Sequence, residues 1–171
     1  MAQLIPGDPY FTDQWHLLNT GQSGGVSGLD TGATFVWPDY TGRGVTIAVV
    51  DSGVELTHPD LADNASSALS FDILANSTTL TATGNHGTFV AGILGAETDN
   101  ALDVSGIAYG ATFGSLRILS GSDDVETFEG VTEAEGDASP RTFEKLLELG
   151  FDTSNHSYGP SFPFNQVLGD D

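Results

Sequence analysis

The stretch Thr41-Gly-Arg-Gly-Val-Thr-Ile-Ala-Val-Val-Asp-Ser-Gly53 decides the fold of this 171-residue chain. Its glycines on either side of Arg43 predict a turn, and the run at 45–50 is short, apolar and rich in β-branched residues. Such a run between turn residues is typical of a strand that is buried on both faces, as in a parallel sheet. The run ends at Asp51, which we therefore expect at the carboxyl end of a buried strand.

Helix and strand patterns alternate after this strand. A Ser/Thr/Ala-rich loop at about 62–83 leads into residues 85–96, where small and apolar side chains at nearly every position predict a helix that is buried all round. Residues 104–109 and 112–119 are predicted to be strands. The run at 123–137 contains seven acids and no base, which predicts a solvated surface loop.

A second helix is predicted from its boundary signals. Ser139 is a favourable N-cap, Pro140 suits the first helical position, and a glycine just past the end supplies a C-terminal stop. We expect the buried stripe of this surface helix to contain Phe143, Leu146, Leu147 and Gly150. A further strand is predicted at 151–158. This order predicts an α/β protein whose mostly parallel sheet carries helices on both faces.

Composition excludes several classes of protein. The chain has 24 acidic and 4 basic residues, a formal net charge of −20, so it lacks the basic face that binding to nucleic acid or to an anionic membrane requires. It has no cysteine and no apolar run long enough to span a membrane, and residues 1–7 do not resemble a signal peptide. Residues 1–40 are predicted to form an irregular, glycine-punctuated arm.

Asp51 and His86 are the candidate catalytic residues. Functional side chains gather at the carboxyl ends of strands in open α/β sheets, and His86 begins the predicted buried helix. Taken separately, the acid could close a turn and the histidine could be a hydrogen-bonded core residue. Together they form a possible acid–base pair, because an aspartate that accepts the imidazole Nδ1–H leaves Nε2 to take a proton from a nucleophile.

Five motifs in this order and spacing resemble the subtilisin-like serine proteases: Val49-Val-Asp-Ser-Gly-Val54, His58-Pro-Asp-Leu61, His86-Gly-Thr-Phe-Val-Ala-Gly92, Val104-Ser-Gly-Ile-Ala-Tyr109 and Asn155-His-Ser-Tyr-Gly159. The resemblance extends from Asp8 to about Gly159. Three details are similar to the kexin-like branch: Asp8-Pro-Tyr-Phe11 ahead of Gln14-Trp15, Leu116-Arg-Ile-Leu-Ser-Gly121 and Ser157-Tyr-Gly-Pro160.

The resemblance implies that Asp51 is the triad acid and His86 the general base of a serine endopeptidase acting on polypeptides. The serine of a Gly-Thr-Ser-x-Ala motif and the oxyanion asparagine are absent from this sequence. It therefore implies that 1–40 is the arm and 41–171 the N-terminal part of a peptidase domain, whose missing C-terminal half carries the nucleophile. The chain alone is expected to be inactive. The alternative is a non-catalytic, calcium-binding, peptide-docking module of the same fold.

The resemblance also implies a structural calcium site. Its side-chain ligands would be Asp8, Asp60 and Asn100, and its backbone carbonyl ligands would be Glu97, Leu102 and Val104. Hard oxygen donors from distant segments suit Ca²⁺. The competing interpretation is that Asp8 and Asp60 only cap turns.

Ser157, Tyr158 and Gly159 match the edge on which the family lays a substrate peptide as an added strand. Ser52 and the stretch Ser161-Phe-Pro-Phe164 stand where kexin-like enzymes have acids, so we expect a broad or apolar substrate preference rather than a dibasic one.

Extracellular location is implied by the family. His58 and His156 are expected to be structural, and a metallohydrolase cluster of Asp51, His58 and His86 is the remaining alternative.

Overall fold

The computed structural model describes residues 2–80, 84–120 and 138–158. Its strands are β1 (Thr46–Asp51), β2 (Phe71–Asp72), β3 (Thr112–Arg117) and β4 (Thr153–His156), and its α-helices are α1 (Ala33–Val36), α2 (His86–Gly95) and α3 (Ala138–Leu149). Short 3₁₀ helices occupy Phe11–Asp13, Gln22–Gly24 and Ser67–Leu69. The strands form one parallel sheet in the order β2-β3-β1-β4.

Strand β1 lies inside this sheet, between β3 and β4, as its uninterrupted apolar sequence predicts. Val49 faces a core cluster that includes Ala91 of α2, whereas Ala48 and Val50 face a second cluster to which Leu146 of α3 contributes. A helix therefore covers each face of the sheet, which confirms the predicted α/β architecture. The strand directs its last residue, the fully buried Asp51, to the carboxyl edge.

The predicted strand at 104–109 is wrong. The amide of Ile107 donates to the carbonyl of Ile93 at 3.0 Å, and that of Ala108 donates to Leu94 at 2.8 Å. These bonds satisfy carbonyls at the end of α2, which would otherwise lack partners. A Cβ on Gly106 would lie 2.4 Å from the backbone nitrogen of Ala96, so only glycine allows this approach. The segment therefore packs on the helix terminus instead of joining the sheet.

Helix α2 is not buried all round, contrary to the prediction. Ala91 is fully buried and Gly95 packs closely on the ring of Phe113 in the sheet. Phe89 and Ile93, on another side of the helix, are 68% and 54% exposed. Small residues allow one face to lie tightly on the sheet, but the described residues do not cover the other face.

Helix α3 is correctly predicted, but its buried stripe is not. The helix begins at Ala138, one residue before Ser139, and Gly150 follows its end with a φ of 72°. Leu146 packs on the sheet, whereas Phe143 and Leu147 are 58% and 84% exposed and Gly150 is exposed too. The helix is rotated relative to the predicted stripe, so that Thr142 is buried instead.

The region predicted to be a loop at 62–83 contains strand β2. This strand was not predicted because two residues are too few to show a periodic pattern. Asp72 of this strand is fully buried and its Oδ2 lies 2.8 Å from Nη1 of Arg117, at the end of β3.

The described part of the N-terminal arm has only short helical segments around its own core of Phe11, Leu17, Ala33 and Trp37. The predicted acidic loop at 123–137 lies outside the described residues. None of the described helices has the length and apolar character needed to cross a membrane.

Candidate active site

Asp51 and His86 form a hydrogen-bonded pair at the carboxyl edge of the sheet. Nδ1 of His86 lies 2.8 Å from Oδ1 of Asp51. The carboxylate is fully buried, whereas the imidazole side chain is 34% exposed. The last residue of β1 and the first residue of α2 therefore place a buried acid beneath a histidine that is accessible from outside.

Local contacts fix the start of α2 against the turn after β1. The amide of Gly87 donates to Oγ of Ser52 at 3.3 Å, and the amide of Glu55 donates to Oγ1 of Thr88 at 3.0 Å. A Cβ on Gly87 would lie 2.3 Å from the carbonyl oxygen of Gly53. Any side chain at this position would therefore push the two segments apart. Glycine directly after His86 is therefore needed to bring the imidazole within reach of Asp51.

This geometry suits a general base held in one tautomer. Oδ1 of Asp51 also accepts the amide of Ser52 at 2.7 Å, which fixes the carboxylate. Its buried Oδ2 has no hydrogen-bond partner among the described residues. An ionised carboxylate at Nδ1 keeps the proton on that nitrogen and stabilises the imidazolium that forms when Nε2 takes a proton.

His58 does not join this pair. Its Nδ1 accepts the amide of Asp60 at 3.2 Å, a local contact that orders the turn. In the described part of the chain, no three histidine or acidic side chains are grouped so as to hold a metal ion. The geometry therefore gives no support to a metallohydrolase centre of Asp51, His58 and His86.

The predicted calcium ligands come together from three segments. Asp60 Oδ1 accepts Nδ2 of Asn100 at 2.8 Å, and its Oδ2 accepts the amide of Val104 at 3.1 Å. Asp8 Oδ2 accepts the amide of Asp99 at 3.0 Å and the hydroxyl of Ser105 at 2.6 Å. Both carboxylates thus contact the loop that follows α2.

Negative charge in this cluster is incompletely compensated. Burial raises the pKa of Asp60, hydrogen bonds from Asn100 and Val104 act in the opposite direction, and the negative charges of Asp103 and Asp8 raise it further. Oδ1 of Asp8 is buried without a hydrogen-bond partner among the described residues. In the same part of the chain, three backbone carbonyls of the predicted set accept no hydrogen bond: Glu97, Leu102 and Val104. Carboxylate and carbonyl oxygens are the donors that a hard cation such as Ca²⁺ prefers.

Ser157 and Tyr158 directly follow β4, and Gly159 lies outside the described residues. Tyr158 packs partly on the core, and burial followed by the negative charge of Asp51 raises the pKa of its phenol. Nδ1 of His156 lies 2.7 Å from the hydroxyl of Tyr158, a contact that no pattern in the sequence predicted.

Comparisons with known sequences agree with these motifs. The family model described as "Subtilase family" matches residues 42–170. PC3-like endoprotease variant B of Hydra vulgaris is 42% identical over 123 residues, covering 68% of this chain and 17% of that protein. Neuroendocrine convertase 2 of Homo sapiens is 40% identical over 119 residues, covering 66% of this chain and 19% of that protein. The chain thus spans less than a fifth of these curated relatives.

Solved structures show the same fold. The serine protease of Aeromonas sobria, solved in complex with a chaperone, superposes with a TM-score of 0.73 at 29% identity, covering 98% of this chain and 29% of that one. Fervidolysin from Fervidobacterium pennivorans, a keratinolytic enzyme related to subtilisin, gives a TM-score of 0.58 at 26% identity, covering 72% of this chain and 18% of that one.

Proposed function

Because this chain belongs to the subtilase family, we propose that it is part of a serine endopeptidase in which Asp51 and His86 act as acid and general base. The nucleophilic serine and the oxyanion asparagine come from outside these 171 residues. The match to convertases is in keeping with the kexin-like details of the sequence. The protein that contains both parts is called the full-length enzyme below.

One observation carries this proposal, the 2.8 Å contact between Nδ1 of His86 and the buried Oδ1 of Asp51. In the reaction, Nε2 would take the serine proton as the hydroxyl attacks the peptide carbonyl. It would then protonate the leaving amine, while Asp51 holds the imidazolium. This chain supplies the acid and the base but neither the nucleophile nor the oxyanion donors, so we expect no turnover from it alone.

Hydrolysis of casein tests this function. We expect the full-length enzyme, whose sequence would contain a Gly-Thr-Ser-x-Ala motif after residue 171, to cleave casein. The 171-residue chain should not cleave it. A reading frame without such a motif, together with peptide binding without cleavage, would favour the non-catalytic docking module.

Calcium is the proposed structural cofactor, with Asp8, Asp60 and Asn100 as side-chain ligands and the carbonyls of Glu97, Leu102 and Val104 completing the set. Two observations support this assignment: Oδ1 of Asp8 is buried without a hydrogen-bond partner among the described residues, and the carboxylate of Asp60 is buried. A divalent cation would tie the arm, the turn after β1 and the loop after α2 together, and would offset the repulsion between their acids. No step of catalysis passes through this ion.

Calcium should raise the free energy of unfolding by RT ln(1 + [Ca²⁺]/Kd), about 2.7 kcal/mol at a hundredfold excess over Kd. For a chain of this size that gain corresponds to roughly 5–10 °C in Tm. Thermal melts with calcium and with chelator measure it. Asp60→Ala should abolish the gain, whereas Asp39→Ala, which removes an exposed acid outside the ligand set, should retain it. Equal calcium responses of the two variants would contradict the assignment.

The proposed substrate is a polypeptide laid along Ser157, Tyr158 and Gly159. Ser52, which stands where kexin-like enzymes have a second acid, is 4% exposed and accepts the Gly87 amide, so it offers no charge to a basic side chain. A broad or apolar preference is therefore the proposed specificity. Extracellular location is proposed on the strength of the family alone.

A further inference from the structure

Three side chains form a hydrogen-bonded row along β4 and the residues that follow it. Residues two apart on a strand point to the same face, and Ser154, His156 and Tyr158 are spaced in this way. Oγ of Ser154 lies 3.0 Å from Nε2 of His156, and the Tyr158 hydroxyl lies 2.7 Å from Nδ1. The imidazole is thus held at both nitrogens between two hydroxyl groups.

One residue of helix α3 contacts this row, although His156 remains exposed. The ring of Phe143 stacks on the imidazole of His156, with centroids 6.4 Å apart and an interplanar angle of 25°. The imidazole and the phenol ring of Tyr158 lie 5.5 Å apart. Phe143, which the predicted stripe placed in the core, is thus exposed and lies beside the ring of His156.

We propose that His156 is a positioning residue that holds the Tyr158 phenol at the peptide-docking edge and thereby sets substrate affinity. This inference rests on the proposed peptidase function. A neutral imidazole has one donor and one acceptor nitrogen, and each hydroxyl can either donate or accept, so both contacts can form at once.

Tyr158 lies two residues beyond the end of β4, and its hydroxyl contacts Nδ1 of His156 at 2.7 Å. A tyrosine held by this bond offers a fixed aromatic surface to an apolar substrate side chain, with less conformational entropy lost on binding. His156 therefore acts on binding through Tyr158 and takes no part in proton transfer.

Kinetics of the full-length enzyme on an apolar peptide test the inference. Loss of the hydrogen bond between His156 and Tyr158 should raise KM by about three- to tenfold in both His156→Ala and Tyr158→Phe, with kcat unchanged. The double variant should be no worse than either single variant, because both lose the same contact. His156→Gln, which keeps an acceptor and a donor, should restore most of the affinity. A fall in kcat instead of a rise in KM, or additive effects, would overturn the proposal.

Nitrogen NMR of the 171-residue chain separates this inference from the proposed function. Tyr158→Phe should shift the Nδ1 resonance of His156, and Ser154→Ala should shift Nε2, with each leaving the other nitrogen nearly unchanged. If neither resonance moves, the row does not exist and His156 positions nothing. If the resonances move but the full-length enzyme cleaves no peptide, the proposed peptidase function fails and the inference about substrate affinity fails with it.

Discussion

Replacing Asp51 by Asn in the full-length enzyme should lower kcat by about 10⁴, with KM little changed. Asparagine preserves the size of the side chain but offers an amide in place of the carboxylate that accepts the Nδ1 proton at 2.8 Å. The histidine then favours the tautomer that carries its proton on Nε2, which cannot act as a base towards serine. Steady-state kinetics on a peptide substrate measure this loss.

Asp63→Asn is the matched control, because Asp63 is an exposed acid outside the catalytic pair. We expect its kcat to stay within about twofold of the wild type, in line with the small effects of most surface substitutions. A loss of less than about tenfold in Asp51→Asn, or an equal loss in the two variants, would show that Asp51 is not the triad acid.

Asp72→Ala should lower the free energy of unfolding of the 171-residue chain by about 3–5 kcal/mol, because it removes the buried carboxylate that accepts the Arg117 guanidinium at 2.8 Å. The side chains of this pair are 0% and 11% exposed. Asp72 also accepts the amide of Ala75 at 2.8 Å, so the substitution loosens the turn that follows β2. Urea denaturation measures the effect.

Glu148→Ala supplies the contrast. It breaks the bridge from Lys145 to Glu148, in which the Glu148 side chain is 65% exposed, and we expect a change of no more than about 1 kcal/mol. If Asp72→Ala does not fold, Asp72→Asn can be measured instead, because asparagine lacks the charge of aspartate but has nearly the same volume. Equal midpoints for the wild type and both Asp72 variants would contradict the buried-pair account.

The central strand and the contact between Asp51 and His86 were predictable because they depend on local signals. The apolar run at 45–50 specifies a strand buried on both faces, and the acid at its end needs only the strand direction to be placed. The glycine after His86 belongs to a motif that the sequence shows directly. The structure adds the reason for it, since the carbonyl of Gly53 leaves no room for a side chain there.

What could not be predicted depends on distant packing. Residues 104–109 have an apolar composition typical of a strand, yet their amides bond to carbonyls at the end of α2, more than ten residues earlier. Phe89 and Ile93 are apolar enough for a core, but sequence does not tell which face of a helix meets the sheet. The contact of His156 with Tyr158 required the conformations of both rings. The partners of Asp60 likewise appear only when the loop at 97–104 is placed.

Labelling with a serine-directed phosphonylating reagent tests the central claim, that Asp51 and His86 activate a serine outside these 171 residues. In the full-length enzyme we expect one labelled serine, located by peptide mass spectrometry beyond residue 171, and a labelling rate that falls by orders of magnitude in His86→Ala but not in His58→Ala. The 171-residue chain should take up no label. A label on a serine of this chain, or a rate indifferent to His86, would contradict the account.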